Sequence, residues 1–189
     1  MIVFDFRYCV PPYPEYVDGI AIKLTQGKTF VNSLAQRQAA AGNVVAHWHY
    51  WEPFVDPVIQ AQHYLDVAKD FEGHRFLDAE HPGAAIRGVT PVQLQKFVVT
   101  VEQKSGEPCG IYTRRSWWSY FAGLTSWAGS HPLWVAHFGA AHPAVPNEWL
   151  GKPYMGWQFQ GDVYWPGWLD VTVGRAGKVD VDHWVPSPS

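Results

Sequence analysis

Arg75-Phe76-Leu77-Asp78-Ala79-Glu80-His81-Pro82 is the stretch whose reading decides the fold. Two apolar residues run into an acid, a small spacer and a second acid, and a proline closes the run. Alternate side chains of an extended strand leave opposite faces, so Asp78 and Glu80 are expected to point the same way. At a strand rise of ~3.3 Å per residue their Cα atoms lie about 6–7 Å apart. Pro82 cannot donate to a sheet ladder, so a strand over 75–80 stops there and carries both acids at its C-terminal mouth. Two carboxylates side by side do not ionise independently; one is pushed toward keeping its proton, as an acid catalyst near neutral pH requires. The plainer reading is a strand end with two solvated acids, and the rest of the chain has to decide between them.

The 189 residues suffice for one large domain, and 47% of them are hydrophobic, enough for a full core. No apolar run reaches the ~18 residues of a membrane span. Met1-Ile2-Val3-Phe4-Asp5 lacks the basic and apolar regions of a secretory signal. A net charge of −3 gives no footprint for nucleic acid. The 11 Trp, 9 Tyr and 10 Phe against 16% charged residues suit a sugar-stacking groove better than a phosphate site, although many of these rings must fill the core. Cys9 and Cys109 fall at opposite ends of parallel strands, which fits two thiols in a reducing compartment.

Taken in order, residues 2–6 read as a buried strand carrying Asp5, followed by a Pro/Tyr-rich loop and a strand over 19–24. Residues 30–41 are helix formers, with Gly42 placed as a terminating glycine. A strand over 44–50 ends in His47-Trp48-His49-Tyr50-Trp51, and 57–71 reads as a helix. Thr90-Pro91 opens a helix to about Lys104, then come a strand at 110–113, a helix over 116–123 and a strand over 132–138. Short strands at 156–160 and 177–182 close the chain. Strands alternating with helices that thin toward the C-terminus predict an α/β fold, a closed or nearly closed barrel with its active site at the C-terminal strand ends. Asp5, Asp78, Glu80 and Asp180 each fall near such an end, so closure would gather them on one rim.

In this order these residues resemble glycoside hydrolase family 25, the lysozymes (muramidases) of bacteria and phages. Val3-Phe4-Asp5 is similar to the family's opening strand, Ile22 to Gly27 to I-K-A-T-E-G, and Phe30 to Gly42 to F-x-x-N-x-x-x-A-x-x-A-G. Trp48-His49-Tyr50 stands for Y-H-F and Leu77-Asp78-Ala79-Glu80 for L-D-x-E. Gly110 to Thr113, Leu133 to Ala136 and Trp157-Gln158-Phe159 resemble G-I-Y-T, L-W-I-A and W-Q-Y, and Val179 to Trp184 resembles V-D-x-N-x-F. The resemblance implies a flattened TIM-like barrel with fewer helices than strands, (β/α)5(β)3-like, over residues 1–185. It implies cleavage of the β-1,4 bond between N-acetylmuramic acid and N-acetylglucosamine, with Glu80 as general acid, Asp78 on the substrate's acetamido group, and Asp5 and Asp180 flanking them. Lys23, Trp48, His49, Tyr50, Tyr112, Trp134, Trp157, Gln158 and Asp182 become expected substrate contacts, with no metal and no cofactor. Retention assisted by the acetamido carbonyl is the expected course, an exception to the two-carboxylate separation rule.

Three departures stand out: Gln26 replaces the family's glutamate, Phe6-Arg7 its serine, and Asp182 its closing asparagine. Arg7 would pull a nearby acid's pKa down rather than up. Two rival readings stay open. His47 and His49 form an H-x-H pair of the kind that holds a divalent metal in amidohydrolase barrels. Gln26 also fits a peptidoglycan-binding barrel without turnover. Trp117-Trp118 and Trp165/Trp168 are placed in loops or a helix start, as subsites or a partner surface if exposed. Thr25, Thr90 and Ser116 read as caps and turns. A monomer is expected, a phage endolysin domain folded in the host cytoplasm before release to the cell wall. The tail Pro186-Ser187-Pro188-Ser189 reads as the start of a linker toward a C-terminal wall-binding domain.

Overall fold

The structure, a computed structural model, describes residues 1–6, 9–10, 17–80, 90–170 and 175–185. Its strands are β1 (Ile2–Phe6), β2 (Cys9–Val10), β3 (Gly19–Gln26), β4 (Phe30–Val31), β5 (Val44–Tyr50), β6 (His74–Asp78), β7 (Cys109–Thr113), β8 (Leu133–Ala136), β9 (Gly156–Asp170) and β10 (Arg175–Trp184). Its α-helices are α1 (Ala35–Ala39), α2 (Pro57–Ala68), α3 (Pro91–Ser105) and α4 (Arg115–Trp118). The sheet runs β1-β10-β9-β8-β7-β6-β5-β3, and a parallel β1–β3 pairing closes it into an eight-stranded α/β barrel; β2 and β4 are short additions on β9 and β3.

Strands buried on both faces make this possible. Every residue of β3 up to Thr25 is buried, as are all of β7 and β8, the pattern of parallel strands with helices outside and side chains within. The period of two sorts the core into two layers. Phe4, Ile20, Ile22, Leu24, Leu77, Ile111, Leu133, Val135, Val179 and Val181 face outward to the helices. Val3, Ala21, Ala46, Trp48, Phe76, Tyr112, Trp134 and Trp184 fill the barrel.

The helices begin where the sequence signals them. Asp56 caps α2 by accepting from Val58 N and Ile59 N at 2.8 and 3.1 Å, with Pro57 in the first turn. Thr90 and Gln93 form a capping box on α3, which ends at Gly106 with φ 76°. Ala61, Tyr64 and Ala68 of α2 and Leu94, Phe97, Val98 and Val101 of α3 bury the helix faces on the barrel. No helix among the described residues is long and apolar enough to cross a membrane.

Several expectations are corrected. Residues 30–41 are not one helix. Phe30–Val31 pair with β3, and the Asn32 side chain donates to Lys23 O (2.7 Å) and Gln38 Oε1 (2.8 Å) and accepts from Leu34 N, a local network that delays α1 to Ala35. The α1 cap is Ala40 in the right-handed region, so Gly42 is not its terminator. The 57–71 helix ends at Ala68, and the 116–123 helix shrinks to α4 and a 3-10 turn, Ser119–Phe121. The two short closing strands are the long antiparallel hairpin β9–β10, and Trp165 and Trp168 lie in β9 rather than in loops. Trp117 and Trp118 are buried, so they offer no exposed surface. Cys109 is free and buried, which raises its thiol pKa. The expectations for Arg7, Pro82 and the 186–189 tail lie outside the described residues.

Candidate active site

The barrel interior is plugged at its base and charged at its mouth. Phe76, Trp134 and Trp184 meet edge to face with centroids 5.3–5.7 Å apart, the arrangement that aromatic quadrupoles favour. Neighbouring strands make room with glycine: a Cβ on Gly110 would lie 2.3 Å from the Phe76 ring, and one on Gly156 2.5 Å from that of Trp184. This packing floors the hollow that opens above it.

Five acids occupy the levels above. Asp5 and Asp180 are register partners across β1 and β10. Asp180 sits there for a reason other than the one expected: β10 runs antiparallel, so its opening half, not its C-terminal end, meets the mouth. Strand β6 stops at Asp78 rather than at Glu80. Its backbone stays tied on both sides, by Trp51 N to Asp78 O at 3.0 Å and Ala79 N to Tyr112 O at 2.9 Å. Ala79 points into the outer core, and Glu80 rises to the rim with its side chain 26% exposed.

The hydrogen bonds hold these carboxylates unequally. Trp48 Nε1 donates to Asp5 Oδ1 (3.0 Å) and Trp134 Nε1 to Asp182 Oδ1 (2.7 Å). Asp180 accepts from Asp162 N (2.7 Å) and Gln158 Nε2 (3.2 Å), and Tyr112 Oη donates to Gln158 Oε1 (2.7 Å), so the amide relays an ordered chain. Asp78 Oδ1 and Asp182 Oδ2 are buried with no partner among the described residues. An ionised carboxylate with an orphan oxygen is costly in a dry interior, which favours the neutral acid at both.

Burial drives the proton affinities upward. Asp78 lies well above the ordinary carboxylate range because it is buried and because Glu80 and Asp5 repel a charge there, against the pull of Lys23. Burial raises Glu80 too; the Arg114 guanidinium, 3.5 Å from it, works against this and Asp180 with it. Asp180 is raised by burial, and Asp182 by burial, Asp5 and Asp180. Lys23 is 1% exposed inside the barrel. It donates to Gln26 Oε1 at 2.7 Å and lies 4.7–5.2 Å from the ring centroids of Tyr50, Trp48 and Phe30. The neutral amide of Gln26 thus keeps a hydrogen bond to Lys23 without a counter-charge.

The outer face of the same strands carries different polar groups. His47 and His49 alternate with Trp48 and so point away from the hollow. His47 Nδ1 lies 2.8 Å from Tyr64 Oη; His49 Nδ1 lies 2.8 Å from Thr25 Oγ1 and its Nε2 3.2 Å from Gln60 Oε1. Burial pushes both rings down to about 3. Two corrections follow: His49 is a buried wall residue, not a substrate contact, and the H-x-H pair does not face the mouth as an amidohydrolase metal site requires. Thr25 serves this cluster and is not a cap. Trp157 also faces outward, packing on Phe159 and donating to His137 O at 2.9 Å. Trp134 and Asp182 lie fully buried below the mouth, where a sugar does not reach them.

A groove of about 960 Å³ opens over the acids, lined by Glu80, Tyr112, Gln158 and Asp180 together with Arg114, Arg115, Ser116, His137, Phe138 and Asp162. The second group escaped the sequence reading. Arg114 to Ser116 follow the end of β7, and His137 and Phe138 follow β8, which stops at Ala136 short of the strand expected over 132–138, while Asp162 lies within β9 at a positive φ.

Carboxylates flooring a groove at the C-terminal mouth of an α/β barrel are an arrangement that glycoside cleavage can use. The sequence profile of glycosyl hydrolases family 25 matches residues 14–168, and the chain belongs to that family. Lysozyme M1 of Streptomyces globisporus is 31% identical over 118 residues, covering 57% of this chain and 35% of that protein, so the chain spans well under two thirds of this relative. The muramidase of Acremonium alcalophilum superposes with a TM-score of 0.75 at 20% identity, over 99% of this chain and 94% of that one. The catalytic domain of endolysin Ply40 from bacteriophage P40 of Listeria monocytogenes gives 0.69 at 21%, over 98% and 93%. At these identities the structures establish a shared fold.

Proposed function

We propose that this chain is a peptidoglycan muramidase, cutting the β-1,4 bond between N-acetylmuramic acid and N-acetylglucosamine with Glu80 as general acid. One observation carries the reading: Glu80 stands at the rim two residues beyond the buried Asp78, its side chain 26% exposed, lining the groove, with its proton affinity raised by burial. A carboxyl of raised proton affinity facing the groove is what leaving-group protonation needs.

Asp78 and Glu80 titrate as a unit. When the substrate's acetamido N–H donates to the Asp78 carboxyl, the ionised form is favoured there and the shared proton stays on Glu80. Glu80 gives that proton to the glycosidic oxygen as the C1–O bond breaks. The acetamido carbonyl oxygen bonds to C1 from the opposite face, forming a cyclic oxazolinium beside Asp78. A water that loses its proton to Glu80 then opens the ring, with retention. Asp180 and Asp5 keep the site negative opposite the developing cation, and Tyr112, Trp48 and Tyr50 line the approach. The family, the domain span 1–185 and the lysozyme relatives support a wall-degrading role, with a phage endolysin acting from the host cytoplasm as the setting.

The test is mass spectrometry of wall fragments. The wild-type chain should release new muramic-acid reducing ends, and Glu80→Gln with an intact fold should not. Wild-type release of N-acetylglucosamine reducing ends, or equal release by both proteins, would overturn the assignment. NMR of the first product should show the β anomer.

A further inference from the structure

The groove has a cationic wall that bond cleavage leaves unused. Arg114 is engaged with Glu80. Arg115, the next residue, lines the groove and is exposed, and among the described residues no carboxylate lies within ion-pair reach of it. Glu148, which shares a smaller neighbouring hollow with Arg115, instead accepts from Thr125 Oγ1. The wall is rigidly founded. Arg115 and Ser116 belong to α4, whose Trp117 and Trp118 are 4% and 1% exposed and pack with Phe121. Across the groove, Phe138 is 54% exposed and its ring lies over Gly161, offering an apolar face.

Neutral sugars need hydroxyl partners and an aromatic face, not a guanidinium. Of the two sugars in the proposed substrate, only muramic acid carries an acid branch, a 3-O-lactyl group that ends in its own carboxylate or continues into a peptide bearing carboxylates. Guanidinium takes such a group in a charge-assisted, often bidentate, hydrogen bond. We infer that Arg115, with the Ser116 hydroxyl beside it, forms a subsite for the carboxylate of the lactyl branch and so selects muramyl chains over unbranched N-acetylglucosamine chains. This rests on the muramidase reading, and Arg115 acts there as a specificity residue, apart from the proton chemistry.

Binding without turnover tests it. In the Glu80→Gln chain, calorimetry compares N-acetylglucosaminyl-N-acetylmuramic acid, the same disaccharide with its lactyl carboxylate amidated, the disaccharide with its stem peptide, and chitobiose. Any pull from an Arg114 freed by the Glu80 change persists when Arg115 is replaced, so the share of the acid–amide gap lost with Arg115→Ala is the share assigned to Arg115. The free acid should bind about tenfold more tightly than its amide, and the gap should narrow at high salt. Adding Arg115→Ala should erase the gap, Arg115→Glu invert it and Arg115→Lys keep part of it. If the peptide form also exceeds the amide, the stem carboxylates share the subsite. Equal affinities for acid and amide, or Arg115→Ala weakening all four probes alike, would overturn the inference. The muramidase reading fails separately, if the wild-type chain yields no muramic-acid reducing ends from walls.

Discussion

Strand β5 separates two polar clusters that share a wall and behave oppositely. On its inner side Trp48 donates to Asp5 within a set of acids whose proton affinities are raised. On its outer side His47 and His49 are locked among Tyr64, Thr25 and Gln60 with their pKa values pushed down to about 3. Burial is the leading cause in both, and in both it favours the neutral form. The difference lies in access. The acids stand beneath an open groove, where a neutral carboxyl is a usable proton donor; the histidines are sealed under α2 and α3, where a neutral ring only completes hydrogen bonds. A perturbed pKa therefore signals chemistry only where a substrate can reach it.

The sharpest way to break this comparison is Glu80→Gln. Turnover should fall about 10³-fold while the thermal midpoint shifts little, as read by reducing-end release and calorimetry. A comparable loss of activity from His49→Gln at an unchanged midpoint would erase the distinction drawn here. His49→Ala is the next largest effect. It takes the ring partner from Thr25 Oγ1 and one of the bonds at Gln60 Oε1, opens a gap beside Phe97, and should cost about 3 kcal/mol in urea unfolding while kcat of the folded fraction holds.

Titration separates the clusters further. The folded chain keeps His47 and His49 neutral whereas the unfolded chain protonates them below 6.5, so their contribution is complete above that pH and is lost as pH falls toward about 3. The slope is about 1.4 kcal/mol per pH unit for each histidine, and His49→Gln should remove one histidine's share. The acids carry the opposite sign. Their protons are bound in the folded chain and given up by the unfolded one above the ordinary aspartate value of 3.8, so stability falls as pH climbs from there through the raised values. Asp182→Asn keeps an acceptor for Trp134 and deletes a buried titration. It should add about 1 kcal/mol at pH 7 and flatten the alkaline side of the stability curve.

How much of this was legible follows from which signals are periodic. The barrel was, because alternating strands and helices and doubly buried strands leave apolar runs such as Gly19 to Ile22. The acids at strand ends were as well, since Asp78 and Glu80 share a parity and a motif. The outward turn of His49 was open to the same parity argument, for if Trp48 faces in then His49 faces out; the aromatic density of the His47 to Trp51 cluster obscured it. The antiparallel course of β10 was not, because a two-fold period looks alike in either direction. The truncation of α1 depends on one side chain, Asn32, bonding to backbone and to Gln38. Arg115 opens a one-turn helix and Phe138 sits in a connection, and no local pattern marks either as part of the mouth.

The pairing of β1 with β10 joins Ile2 to His183 and Asp5 to Asp180. The two halves of this seam are therefore among the most widely separated partners in the described sheet. Contacts of such sequence separation slow folding, because the longest loop has to close before the ladder rewards it. Until then Asp180 and Asp182 stand apart from Asp5, Asp78 and Glu80. The acid cluster is complete only once β10 has docked against β1.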